Sequence, residues 1–298
     1  MRLNEKAILV APVLRKWNPR KSDKLLASEI TDKYGIKSEM VSTSRKLVSI
    51  KESSFKSLET IDKNIRNHCF YSVGQGCTGF CVPYDGKGWH ILPTELQEKF
   101  IARFNGLKDQ RESVVKNIIN GWSDILEEAK TELKELFNPL DYPSKDELIG
   151  LYECDYKDKS LDEEAYIGKG DDKVFDVRHG VSDNETAEVR GRERSSIALA
   201  TEQASTKMGV LLTHLTDCLK EDKTFRDKSF SKVQDAIEEF GAWNFNNDEQ
   251  LEEVSDILKE AITNIDVDDL RKDKDKTDKF VEASDKAIDI LDNLKGLI

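Results

Sequence analysis

Between Pro93 and Phe137 the apolar residues Leu96, Phe100, Phe104, Leu107, Val114, Ile118, Trp122, Ile125, Ala129, Leu133 and Leu136 recur at steps of three, four or sums of these. That spacing draws a single apolar stripe along a helix. One helix over the whole stretch would span about 65 Å at ~1.5 Å per residue. A rod of that length is more than a compact domain needs, so it is expected to pack along its length. Phe104 and Trp122 should then be buried against the later helices, with Lys116 on the polar face. No catalytic set lies on or near the stripe.

The rest of the composition fits a helical, surface-rich chain. Of 298 residues, 35% are charged and 38% belong to the hydrophobic set, and the net charge is -12. An acidic balance of that size argues against wholesale nucleic-acid binding. The charge is uneven, with roughly +7 on the first 70 residues and roughly -19 on the remainder. No apolar run approaches the ~18 residues of a membrane span. Residues 7–14 are apolar but broken by Pro12 and lack a small-residue cleavage site, so no signal peptide is expected. Five cysteines at irregular spacing point to reduced thiols and a cytoplasmic location.

In chain order, residues 7–14 read as a strand that Pro12 places at an edge or ends early. A basic loop follows, Arg15 to Lys21, around Trp17. Ser22 or Asp23 can cap a short helix that runs through Tyr34 and is stopped by Gly35. Residues 40–50 read as a strand or a helix start, and 53–71 as a helix with Phe55, Leu58, Ile61, Ile65 and Cys69 on one face. The glycine-rich stretch 79–92 reads as a hairpin leading into the long helix. The prolines at 139 and 143 force a turn, and Ser144 opens a short helix. Residues 153–184 are acidic and aperiodic and read as a long loop that holds a short strand at Lys173–Val177. Helices are expected from about 183 to 219, 225 to 240, 248 to 265 and 266 to 297.

Chemistry has few footholds. Gly74-Gln75-Gly76-Cys77-Thr78-Gly79 matches G-x-G-x-x-G, but a helix precedes it and a strand follows, the reverse of a dinucleotide site. His68, Cys69, Cys77, Cys81 and His90 crowd one window and are the candidate ligands for a structural zinc, although C-x₃-C departs from the common knuckle spacing. Packing is the competing reading, since Cys69 falls on its helix's apolar face. Arg15, Lys16, Trp17, Arg20 and Lys21 are the candidate nucleic-acid contacts: cations for phosphates and an indole to stack a base. The competing reading is a solvated loop whose tryptophan packs on the strand. The acids of 155–172 do not follow the calcium-loop order. No Ser/His/Asp or Cys/His set stands out, so a non-enzymatic protein is expected.

Several phrases together resemble a large helical family of bacteria, phages and integrative elements, known only as a domain of unknown function. They are Thr43-Ser44-Arg45-Lys46-Leu47, Ile91-Leu92-Pro93 before the long helix, Leu136-Phe137, and Asp141-Tyr142-Pro143-Ser144. Near the C-terminus Phe225-Arg226-Asp227 precedes Trp243-Asn244-Phe245-Asn246-Asn247-Asp248. The resemblance implies a mostly helical protein often encoded near MoxR-like AAA+ ATPases and proteins with von Willebrand A domains. It implies no established activity and transfers no functional residue. The cysteine cluster and the acidic loop lie outside the family's pattern.

The expectation is therefore mainly α: an elongated bundle of coiled-coil-like helices with a small N-terminal β element. Four consecutive regions are suggested: an α+β part at 1–92, a central helix and turn at 93–152, an acidic loop at 153–184 and a helical bundle at 185–298. The expected role is an accessory or adaptor protein of a phage or mobile element, with an AAA+ ATPase as partner, no cofactor and no membrane. The alternative is a nucleic-acid-binding protein using the basic N-terminal region.

Overall fold

The computed structural model describes residues 3–49, 54–70, 79–84, 88–161, 183–221, 225–263 and 265–295. The fold is mainly α with a small antiparallel sheet. The chain closes into two compact units, each assembled from separate stretches. The first comprises Met1–Ala11, Arg66–Arg103 and Lys157–Ile298; the second comprises Pro12–Ile65 and Phe104–Tyr156.

The first unit opens with a short helix, α1 (Leu3–Lys6), which leads into strand β1 (Ala7–Arg15). The ribbon strands of the second unit, β2 (Arg20–Ser22) and β3 (Ser44–Lys46), come next in the chain. The sheet is completed by β4 (Val82–Pro83), β5 (His90–Pro93) and β6 (Glu153–Ser160), in the order β4-β5-β1-β6. β1 is thus an interior strand, not an edge. Its register with β5 runs only from Ala7 opposite Pro93 to Val10 opposite His90. Pro12 lies beyond that paired stretch, so its missing N–H removes no bond to β5. β6 also corrects the sequence reading at 153–160, where a loop was expected. Its Cys154, Tyr156 and Ser160 are partly buried between exposed charges, a weak alternation inside an acidic background. The predicted strand at 173–177 and the rest of the acidic loop lie outside the described residues.

The helices expected after residue 183 are present. In the second unit the helices are α2 (Lys24–Tyr34), α3 (Ser54–Ile65), α4 (Gln97–Asn120), α5 (Trp122–Leu133) and α6 (Lys145–Gly150), α4 entering it at Phe104. In the first they are α7 (Asp183–Lys220), α8 (Asp227–Phe240), α9 (Glu249–Ile262), α10 (Val267–Lys272) and α11 (Lys274–Lys295). α7 packs on α8 and α11, and α9 packs on α11. Phe230, Ile237, Val254, Leu258, Phe280 and Leu291 are buried between them, each on the apolar face that a 3.6-residue period predicts. Asp248 accepts hydrogen bonds from the Gln250 and Leu251 amides and starts α9, while Asp266 and Asp269 form a reciprocal capping box on α10. The single C-terminal helix expected over 266–297 is broken at Asp273, whose backbone is extended. Across that break Thr277 donates its hydroxyl to the Leu270 carbonyl.

The long stripe is likewise two helices and not one rod. α4 ends at Asn120 and α5 begins at Trp122, with Gly121 between them at φ -84° and ψ 9°. The Gly121 amide still donates to Asn117 and the Ile125 amide to Gly121. A Cβ at Gly121 would crowd the Asn117 carbonyl at 3.3 Å, so glycine admits the change of direction. The stripe ends at Leu133, because Lys134 takes a positive φ and Leu136 is exposed. Phe104 and Trp122 are buried as expected. Phe104 meets Tyr156 of β6 edge-on at 5.0 Å, and Trp122 packs with Trp17, Phe55, Ile118 and Tyr142 in the core of the second unit.

Candidate functional site

In the second unit the Arg15–Lys21 segment is not an open basic loop. Arg15 ends β1, and Arg20 and Lys21 lie in β2, which pairs antiparallel with β3. Trp17 is half-buried and edge-on to Trp122 at 5.1 Å, with Phe55 at 6.0 Å and Tyr142 at 6.2 Å. Its ring packs against the core cluster of the second unit and is not itself fully buried. Three of the four cations carry internal counter-charges. Arg15 pairs with Glu153 at 3.1 Å, Lys16 sits 3.5 Å from Asp62 and 3.9 Å from Glu59, and Lys21 donates to Asp141. Arg20 is exposed and has no carboxylate beside it among the described residues.

Asp141 is the hub of this surface. Lys21 and Arg45, a cross-strand pair of like charge, both donate to its carboxylate, Arg45 at 2.6 Å. Burial pushes the Asp141 carboxyl up, but the hydrogen bonds from Lys21 and Arg45 outweigh it and hold the group below its ordinary value. The next two residues complete the attachment. Tyr142 donates its hydroxyl to the Leu47 carbonyl at 2.7 Å, and the Trp122 indole N–H donates to the Pro143 carbonyl at 3.1 Å. Two of the phrases that carry the family resemblance, 43–47 and 141–144, are therefore bonded to each other.

The second unit also holds a buried ion pair. Arg111 and Asp62 are each 2% exposed, with Nε donating to Oδ1 at 2.7 Å, and Arg111 Nη2 donates to the Arg15 carbonyl at 2.7 Å. The signal was legible: Asp62 interrupts Leu58–Ile65 and Arg111 interrupts Leu107–Val114–Ile118, opposite charges on two apolar stripes. The hydroxyl of Tyr152 is buried nearby without a hydrogen-bond partner, and burial, offset in part by Arg111, pushes it up to about 12. Cys154 is also raised by burial and is no activated nucleophile. The group is closed and its charges are satisfied, so it serves folding.

Between β2 and β3 the chain extends an arm. Asp23 accepts from the Leu26 amide and caps α2, and Gly35 ends it in the left-handed conformation at φ 61°. The arm's base is pinned by Asp23 N–H to the Thr43 carbonyl at 3.0 Å and by the Thr43 hydroxyl to the Asp23 carbonyl. No residue of α2 is buried. Leu26, Ile30 and Tyr34 lie at i, i+4 and i+8, on one line of the helix. Leu25 and Met40 are each 78% exposed, and Leu26, Tyr34 and Ile36 are exposed as well. Sequence reasoning found the helix but not this face, because exposed and buried stripes have the same period.

In the first unit, Cys69 and Cys81 are buried, and the Cys81 thiol donates to the Cys69 carbonyl at 3.4 Å. Gly79 lets this happen: a Cβ there would overlap the Phe70 carbonyl, which receives the Cys81 amide. Burial, with the neighbouring Cys69, pushes the Cys81 thiol well up. His90 stacks edge-on to Phe70 at 5.6 Å, and His68 is held below its ordinary value by burial and by Arg103. Cys77 lies outside the described residues, as do residues 74–78 of the G-x-G-x-x-G phrase. Among the described residues no group of three or more His, Cys, Asp or Glu is placed to hold a metal ion. The acids around Asp266–Asp275 are tied into α10 caps and ion pairs with Lys272 and Lys276. Among the described residues no helix is long and apolar enough to cross a membrane.

No family model, no curated protein and no solved structure matches the chain.

Proposed function

We propose that the protein is a non-enzymatic adaptor that holds a protein partner on the 24–40 arm. The observation that carries this reading is the arm's exposure: a helix with no buried residue, flanked by exposed Leu25, Leu26, Tyr34, Ile36 and Met40, on a base fixed by the Asp23–Thr43 bonds. Several large apolar side chains left in water on one short segment suit an interface. The resemblance adds a direction, a phage or mobile element with an AAA+ ATPase as partner. The four described cysteines are free thiols, in keeping with a cytoplasmic setting.

A photo-crosslinking amino acid placed at Met40, and in a control at Lys116, tests the proposal in the native host. The expected result is a discrete protein adduct from Met40 that vanishes with Leu26→Ser/Tyr34→Ser, with no such adduct from Lys116. Identical adducts from both positions, or none from Met40, would refute docking through the arm. An adduct that is no ATPase subunit would remove the ATPase and leave the arm.

A further inference from the structure

The two faces of the β2–β3 ribbon are built alike and finished differently. The register sets Arg20 opposite Lys46, Lys21 opposite Arg45 and Ser22 opposite Ser44. Side chains alternate along a strand, so Lys21 and Arg45 share one face while Arg20, Lys46, Ser22 and Ser44 share the other. Like charges directly opposite each other on a sheet repel. On the first face the chain supplies the answer: the Asp141 carboxylate lies between the two cations, and Asp23 stands 3.7 Å from Arg45. On the second face all four side chains are exposed, and among the described residues neither Arg20 nor Lys46 has a carboxylate partner.

We infer that the arm's partner presents an acidic, apolar-centred segment, one of whose carboxylates seats between Arg20 and Lys46 as Asp141 seats between Lys21 and Arg45. The inference rests on the docking reading above and deepens it. Ser22 and Ser44 supply hydroxyl donors on the same face for a second oxygen of that segment. The apolar anchors meet Leu26 and Tyr34, and six residues of chain from Arg20 to Leu26 span at most ~20 Å. A peptide of ordinary length therefore reaches both. The arm's other exposed charges balance, Lys24, Lys33 and Lys37 against Glu29, Asp32 and Glu39, so the sign of the partner is set by Arg20 and Lys46. The chemistry is complementary on both counts: an apolar row for apolar side chains, and a cation pair already shaped to a carboxylate.

The test is a random peptide library selected on the purified full chain. Enriched peptides are then measured by fluorescence anisotropy against wild type, Arg20→Ala/Lys46→Ala and Leu26→Ser/Tyr34→Ser, all exposed substitutions. A single-stranded oligonucleotide is run beside them. The expected pool carries an excess of Asp and Glu among Leu, Ile and Phe. Arg20→Ala/Lys46→Ala should weaken its binding by about tenfold at low salt, with the difference shrinking as salt is added. Leu26→Ser/Tyr34→Ser should abolish it. A pool lost with Leu26→Ser/Tyr34→Ser but neither acidic nor affected by Arg20→Ala/Lys46→Ala overturns this inference and leaves the docking reading standing. Binding indifferent to Leu26→Ser/Tyr34→Ser, or no enrichment at all, overturns both. Oligonucleotide binding that depends on Arg20 and Lys46 assigns the pair to phosphate and overturns the inference.

Discussion

Removing one member of the Asp62–Arg111 pair strands the other in the core of the second unit. In Asp62→Leu the guanidinium stays at a position 2% exposed, keeping only its bond to the Arg15 carbonyl. An uncompensated buried charge of that kind costs about 3–5 kcal/mol. Arg111→Met should cost less, at about 3 kcal/mol, because Lys16 still stands 3.5 Å from Asp62. The double variant has no buried charge left, and its chief loss is the donor to the Arg15 carbonyl, worth about 1–3 kcal/mol. The double should therefore be no less stable than either single, a coupling of at least about 3 kcal/mol. Urea unfolding followed by tryptophan fluorescence, with Trp89 and Trp243 replaced by Phe in all four proteins so that Trp17 and Trp122 report, measures the cycle, provided the m-values agree. Additive losses, with the double destabilised by the sum of the singles, would refute the claim that the two charges exist to satisfy each other.

Other measurements bear on separate parts of the structure. Trp122→Ala should cost about 3–5 kcal/mol and Lys116→Ala, exposed on α4, no more than about 0.5 kcal/mol; equal stability of the two would misplace the core. Tyr152 should titrate late in an ultraviolet pH titration, at about 12. Because the unfolded chain releases that proton near 10.0 while the native state keeps it, stability should fall as pH rises from 10 to 12, and Tyr152→Phe should lessen the fall. Cys69 and Cys81 should resist alkylation in the native protein and react on unfolding; rapid native labelling would contradict their burial. Purified protein should carry less than about a tenth of an equivalent of zinc by elemental analysis, because a structural site would hold its metal through dialysis.

Periodicity carried most of the helical fold, because a stripe at 3.6-residue spacing is what a packed helix needs wherever it lies. It placed Phe104, Ile118 and Trp122 correctly among the buried residues. It did not tell which surfaces meet: Trp122 was assigned to later helices, yet its partners Trp17 and Tyr142 come from a turn and a loop, which have no period. Nor did it mark the breaks at Gly121 and Asp273, since the apolar stripe continues through both. For the site the limits were of two kinds. The cations at 15, 16 and 21 were legible as charge, but their neutralisation by Glu153, Asp62 and Asp141 depends on contacts across 40 to 140 residues of sequence. The arm had the opposite problem: its helix was legible, but the exposure of Leu26 and Tyr34 on it was not, because exposed and buried stripes have the same period.

That surface is the centre of the account, and the unfolding free energy of Leu26→Ser/Tyr34→Ser tests it most directly. Side chains that wait in water for a partner contribute to binding and not to folding. The double variant should unfold within about 0.5 kcal/mol of wild type, against the much larger loss for Trp122→Ala in the same unit. A loss above about 2 kcal/mol, typical of emptying a packed core, would show that the arm is folded into the protein and would contradict the docking site.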